Sequence, residues 1–128
     1  MTGTQEMIVK IPQNEWMSSN DRLHWAVKAS RTRRLRQRGY FEARRNGLLP
    51  MRKAFVTVSV QYDSNRRADP ANAYPTVKAL VDGLVDFGVL TDDDSKHLSA
   101  MTFKRTPGRC ERGWHVITLT LVEQAVDF

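Results

Sequence analysis

The residues best suited to chemistry in this chain are aspartates. Seven of them and no glutamate lie between Asp63 and Asp94. One sits in the block Arg66-Arg67-Ala68-Asp69-Pro70-Ala71-Asn72, and three form the run Asp92-Asp93-Asp94. Carboxylates of this kind hold Mg²⁺, a hard cation that takes oxygen ligands and keeps several waters, so two or three suffice. The bound ion activates a water near neutral pH and stabilises a departing oxygen, which is what phosphodiester hydrolysis demands. Lys78, between the two acidic segments, is placed to neutralise a phosphate or the charge developing on it. Each residue also has a purely structural reading. Asp69-Pro70 reads as a turn, Asn72 as a helix cap, and Lys78 with Asp82 as an i, i+4 surface ion pair. The Asp92–Asp94 run reads as a solvated loop from which at most two carboxylates point into one site.

The charge elsewhere fits a polyanionic partner. Twenty Lys and Arg against fourteen Asp and Glu give a net charge of +6, and the sequence pI is about 9.9. From Arg22 to Lys53 there are eleven basic residues and one acid, Glu42. A basic arm beside an aspartate-rich stretch suggests a polyanion held close to bound cations. Arg31, Arg33, Arg34 and Arg36 on the arm, with Arg66 and Arg67 before Asp69, are the expected phosphate contacts. The plainer reading is a solvated helix face.

These residues need elements to position them. Met7 to Ile11 alternates and then meets Pro12, as a strand does. From about Trp25 to Asn46 only Gly39 interrupts a helical run, and Asn46-Gly47 ends it; its apolar stripe (Ala29, Leu35, Tyr40, Ala43) is thin. Ala54 to Tyr62 alternates with Val56, Val58 and Val60 on one face, a half-buried strand. A second helix follows, with Asn72 as the expected N-cap and Pro75 in the first turn. Within it Val77, Leu80, Val81 and Leu84 fall at i, i+3, i+4 and i+7, and Gly88 stops it. Two more strands are expected at about Leu98–Lys104 and Trp114–Val122, with Met101 and Phe103 in the core. The order predicts a single α/β (α+β) domain over residues 1–128, with a small mixed sheet of about four strands and two main helices.

An aspartate before the second helix and a triplet after it lie about 20 Å apart along a straight helix. They share a site only if the loop after Gly88 folds back along that helix.

Several function classes are excluded. The lone Cys110 forms no internal disulfide and no cysteine-based zinc site. His24, His97 and His115 lack zinc-site spacing and are read as structural or DNA-facing. There is no glycine-rich phosphate loop and no arguable Ser-His-Asp set. The apolar segment Gly113–Val122 is too short for a membrane span, and no secretory leader opens the chain; the expected location is the cytoplasm.

The stretch from about Arg66 to Ser95 resembles the RusA family of Holliday-junction resolvases. There a block like Arg-Arg-x-Asp-x-Asp-Asn precedes a helix bearing a lysine, and a Gly-x-x-x-Asp-Asp turn follows. Weaker similarity covers the whole chain and includes a Ser-x-Asn-like loop, Ser18–Asn20. The resemblance implies a homodimeric, magnesium-dependent endodeoxyribonuclease that cuts four-way junctions in recombination and repair, with Mn²⁺ a possible substitute and no small-molecule cofactor. On that pattern Asp69 matches the first acid, Lys78 the helix lysine and Asp93 the last acid, with Asp92 or Asp94 assisting as metal ligands. Two departures stand out. The second acid falls on Ala71, which binds no metal, and about three extra residues separate Asn72 from the lysine. Three residues are nearly one turn, so Lys78 stays within about 60° of the expected face, displaced by about 4.5 Å. The loss at Ala71 is the larger change: Asp94 or Asn72 could compensate for it, and if neither does the site binds metal weakly or is inactive. Two other readings remain open: a less selective nuclease of branched DNA, and a non-catalytic DNA-binding protein that lost activity with that acid.

Overall fold

A computed structural model describes residues 3–92 and 94–124. In chain order it contains β1 (Thr4–Pro12), α1 (Trp25–Arg45), β2 (Ala54–Gln61), a 3₁₀ turn (Pro70–Ala73), α2 (Tyr74–Phe87), β3 (Leu98–Arg105) and β4 (Trp114–Glu123). The strands form one mixed sheet in the order β1-β4-β2-β3. β4 pairs antiparallel with both β1 and β2, while β2 and β3 are parallel and joined through α2. The result is a small α+β fold of four strands and two helices.

Alternation decides which sheet face is covered. Ala54, Val56, Val58 and Val60 of β2, Ile117, Leu119 and Leu121 of β4, and Met7, Val9 and Ile11 of β1 are buried. Their neighbours Thr57, Ser59, Thr118 and Thr120 remain partly accessible, as expected for a sheet packed on one side. Met101 and Phe103 lie on the edge strand β3 and are only partly buried against this core.

The helices pack against each other. All four stripe residues of α2, Val77, Leu80, Val81 and Leu84, are fully buried, and Gly88 ends the helix in the left-handed region at φ 101°. On α1 the buried residues are Leu35, Gly39 and Ala43. Tyr40 is half-buried against the Phe87 ring, 5.5 Å away, but Ala29 is exposed. Six residues of about 100° each put Ala29 about 120° off the stripe that Leu35 begins. Gly39 is no turn signal. A Cβ there would sit 2.3 Å from the Leu80 carbonyl oxygen, and one at Gly83 would sit 2.2 Å from that of Arg36. The two glycines let the helix backbones touch.

The N-cap expectation is corrected by one turn. Asp69, in extended conformation, caps the 3₁₀ turn by accepting from the Ala71 amide at 3.0 Å. Pro70 has no N–H to satisfy and suits the first position after that cap. α2 then starts at Tyr74 with no side-chain cap of its own.

Candidate nucleic-acid interface and metal site

The C-terminal ends of β1 and β2 lie beside the start of β4, because Pro12 pairs with Trp114 and Gln61 with Val116. Loops at this end of the sheet build a cleft of about 290 Å³, lined by Ser18, Asn20, Tyr62, Arg67, Asp69 and Asn72 among others. The loop after β1 is held there by a reciprocal bond: Met17 N–H donates to Thr76 Oγ1 at 2.9 Å, and that hydroxyl donates to the Met17 carbonyl at 2.8 Å. Ser19 N–H donates to the Asn72 carbonyl at 2.9 Å. The Ser18–Asn20 loop and the Arg66–Asn72 block, far apart in sequence, thus face each other.

Within the cleft, Asp69 uses Oδ1 to accept from Ala71. Its other oxygen faces no hydrogen-bond donor among the described residues. Asn20, Asn72 and Ser18 add neutral oxygens, so the donor set is hard and carries one carboxylate. That set fits a Mg²⁺ ion that keeps most of its waters. Sequence reasoning placed Tyr62 only on a strand; here it forms a wall of the cleft. Burial pushes its phenol pKa up, against the Arg105 guanidinium, which lies 4.8 Å over the ring. Behind it His115, buried and stacked on Trp16 at 3.8 Å, is held below its ordinary pKa by burial.

Asp92 and Asp94 lie elsewhere. α2 has 14 residues and so runs about 21 Å. The chain after it does not fold back. Val89 accepts from the Met51 amide at 2.7 Å and His97 from the Ala54 amide at 2.9 Å, which fixes this segment at the start of β2, the opposite end from Tyr62. Asp94 is exposed and already engaged there, with Oδ1 2.7 Å from His97 Nδ1 and 3.0 Å from the Lys96 amide. The His97 hydrogen bond, more than the Lys96 amide, holds its carboxyl below the usual range. Asp92 is exposed on the same segment. Asp93 lies outside the described residues. One chain therefore does not bring Asp69 and Asp94 together, and no three acidic, histidine or cysteine side chains cluster as a metal site among the described residues.

The basic residues divide into two groups. Arg36 makes a bidentate pair with Asp86 at 2.6 and 2.7 Å, tying α1 to α2. Arg31 donates to the Trp16 carbonyl at 2.9 Å. Arg38, by the same logic, grips buried Glu15 at 2.8 and 3.0 Å. Those three arginines each tie α1 to another segment of the fold. Arg33, Arg34, Arg66 and Arg67 are exposed, and Arg67 lines the Asp69 cleft. Lys78, one turn into α2, pairs with Asp82 at 2.7 Å. No helix among the described residues is long and apolar enough to cross a membrane. No protein-family model matches the chain, and no curated protein matches it.

Proposed function

We propose that this protein is a magnesium-dependent, structure-selective endodeoxyribonuclease of the RusA type that cuts four-way DNA junctions, acting as a cytoplasmic homodimer. The observation that carries the reading is the meeting of Ser18–Asn20 with Arg67, Asp69 and Asn72 in one cleft, since these segments also carry the family resemblance. Asp69 anchors the ion, with Asn20, Asn72 and Ser18 as neutral oxygen donors. When bound, Mg²⁺ supplies an activated water and charge stabilisation at the scissile phosphate. Arg67 orients that phosphate from the cleft rim, and Arg33, Arg34 and Arg66 hold the backbone of the arms. Lys78 exchanges Asp82 for a phosphate oxygen when DNA is present. A two-fold dimer matches the two equivalent strands of a junction.

A second reading is favoured by one observation: with Ala71 lacking a carboxylate and Asp92 and Asp94 at the far end of α2, few acids gather around Asp69 among the described residues. On that reading the protein binds branched DNA without cutting it. Incubating the pure protein with a labelled four-way junction and a matched linear duplex, with and without Mg²⁺, separates the two. The nuclease reading expects junction nicking that needs Mg²⁺. No nicking in wild type, together with nicking gained by Ala71→Asp, would establish the second.

A further inference from the structure

We infer that the loop between β3 and β4 forms a second cleft, which holds the phosphodiester backbone of a DNA strand beside the Asp69 cleft. The inference deepens the reading of the protein as DNA-binding and rests on it, but not on catalysis. The cleft measures about 560 Å³ and is lined by Asp63, Ser64, Arg66, Arg109, Cys110 and Arg112.

Its walls are two loops fixed to each other rather than two that happen to lie close. Cys110 N–H donates to the Tyr62 carbonyl at 3.0 Å and Thr106 N–H to that of Val60 at 2.9 Å. Gln61 Nε2 donates to the Pro107 carbonyl at 3.0 Å. Arg105 reaches across with both terminal nitrogens, to the carbonyls of Arg66 and Ser64 at 2.8 and 2.9 Å. Gly108 and Gly113, both at positive φ, turn the chain sharply at either side.

The charges inside this frame are sorted. Asp63, the one acid of the lining, accepts from the Gly113 amide at 2.8 Å. Glu111, sequence neighbour of Arg112, turns instead to Lys10 at 3.3 Å. Arg66, Arg109 and Arg112 have no ion-pair partner among the described residues, so three guanidiniums against one occupied carboxylate face the same space. Guanidinium forks match the paired oxygens of a phosphate. The volume exceeds what one phosphate needs and suits consecutive phosphates of a strand. Arg66 and Arg67, adjacent in sequence, line one cleft each, so a strand crossing both would present its next phosphate to Asp69.

The test is junction binding by fluorescence anisotropy in EDTA, where no cutting occurs, over a series of salt concentrations. Arg109→Ala with Arg112→Ala should weaken binding at least tenfold. The slope of log affinity against log salt should flatten by up to about two units, at about 0.9 per lost phosphate contact. Arg66→Ala, which keeps the backbone carbonyl bonded to Arg105, should flatten it by about one. Arg44→Ala with Arg52→Ala, equal in charge but at the other end of the molecule, should change affinity less than twofold. Unaltered slopes in both cleft variants, or equal losses in the Arg44/Arg52 control, would overturn the inference, as would a wild type that binds no DNA. A wild type that binds through this cleft and never cuts would leave it standing while removing the nuclease reading.

Discussion

The two ends of α2 carry the same residue type and treat it differently. At the N-terminal end Asp69 caps a 3₁₀ turn with one oxygen and turns the carboxylate into a cleft of polar side chains. At the C-terminal end Asp94 stands in the open turn that starts β3, held by His97 and the Lys96 amide. The first is a carboxylate in a concave, walled setting beside an arginine. The second is an exposed turn-former whose Oδ1 takes both of those bonds. Residue type and motif spacing treat them alike, whereas a crossover helix between parallel strands must deliver the chain to the opposite end of the sheet. Acids flanking such a helix are separated by its length unless a loop returns.

The sharpest test of this contrast is cleavage. Asp69→Asn should lower Mg²⁺-dependent junction nicking by on the order of 100-fold, since the amide keeps the shape but loses the charge that holds the cation. Asp94→Asn should change it less than about threefold, both measured by gel assay of a labelled junction. Asp93→Asn is the informative extra variant. A loss equal to that of Asp69→Asn would mean that Asp93 and Asp69 act on the same ion.

The separation itself depends on α2 lying where it does. Gly83→Ala drives a methyl to 2.2 Å from the Arg36 carbonyl oxygen, and backbone cannot yield as a side chain can. Overpacking of this kind should destabilise by about 2–4 kcal/mol, read from urea unfolding. A loss under about 0.5 kcal/mol would show that the helices can part and that α2 is not pinned.

A smaller effect is expected from Arg36→Ala, which releases Asp86. Both side chains are substantially exposed, so solvent screening leaves about 0.5–1 kcal/mol for the bidentate pair. Arg36 holds the Asp86 carboxyl below its ordinary value of 3.8. The unfolded state therefore takes up the proton first, and the pair's contribution is present above that pH and fades as pH falls through the depressed value. Wild type and Arg36→Ala should differ in stability at pH 7 and converge in strong acid. A difference that persists at pH 2 would assign Arg36 a packing role instead.

The smallest change concerns Asp94. Its carboxyl should titrate below the usual aspartate range by NMR and move back toward it in His97→Ala, because the His97 hydrogen bond is the main cause of the depression. No movement in that variant would leave Asp94 free of the turn and available to a cation after all.

Much of the fold was legible before any coordinates. The alternation of Val56, Val58 and Val60 and the Val77-Leu80-Val81-Leu84 stripe reflect periods of 2 and 3.6 residues that burial on one face imposes. Gly47 and Gly88 ended helices because the left-handed residue there favours glycine. The site was legible only in part. Asp69, Arg67 and Ser18–Asn20 stood out through the family resemblance of their segments, but nothing local says that these segments meet.

The sequence by itself therefore determined which segments are strands and helices, which faces are apolar, and which residues have the chemistry to hold a cation or a phosphate. These follow from the neighbours of each residue along the chain. Tertiary structure decided the rest. It gave Arg31, Arg36 and Arg38 partners within the fold, because carboxylates and carbonyls from distant segments lie within their reach. It turned Gly39 from an apparent helix break into a contact point, because the backbone of another helix rests on it. It also set Asp69 and Asp94 at opposite ends of the sheet, because β2 and β3 run parallel and the helix between them must span the distance.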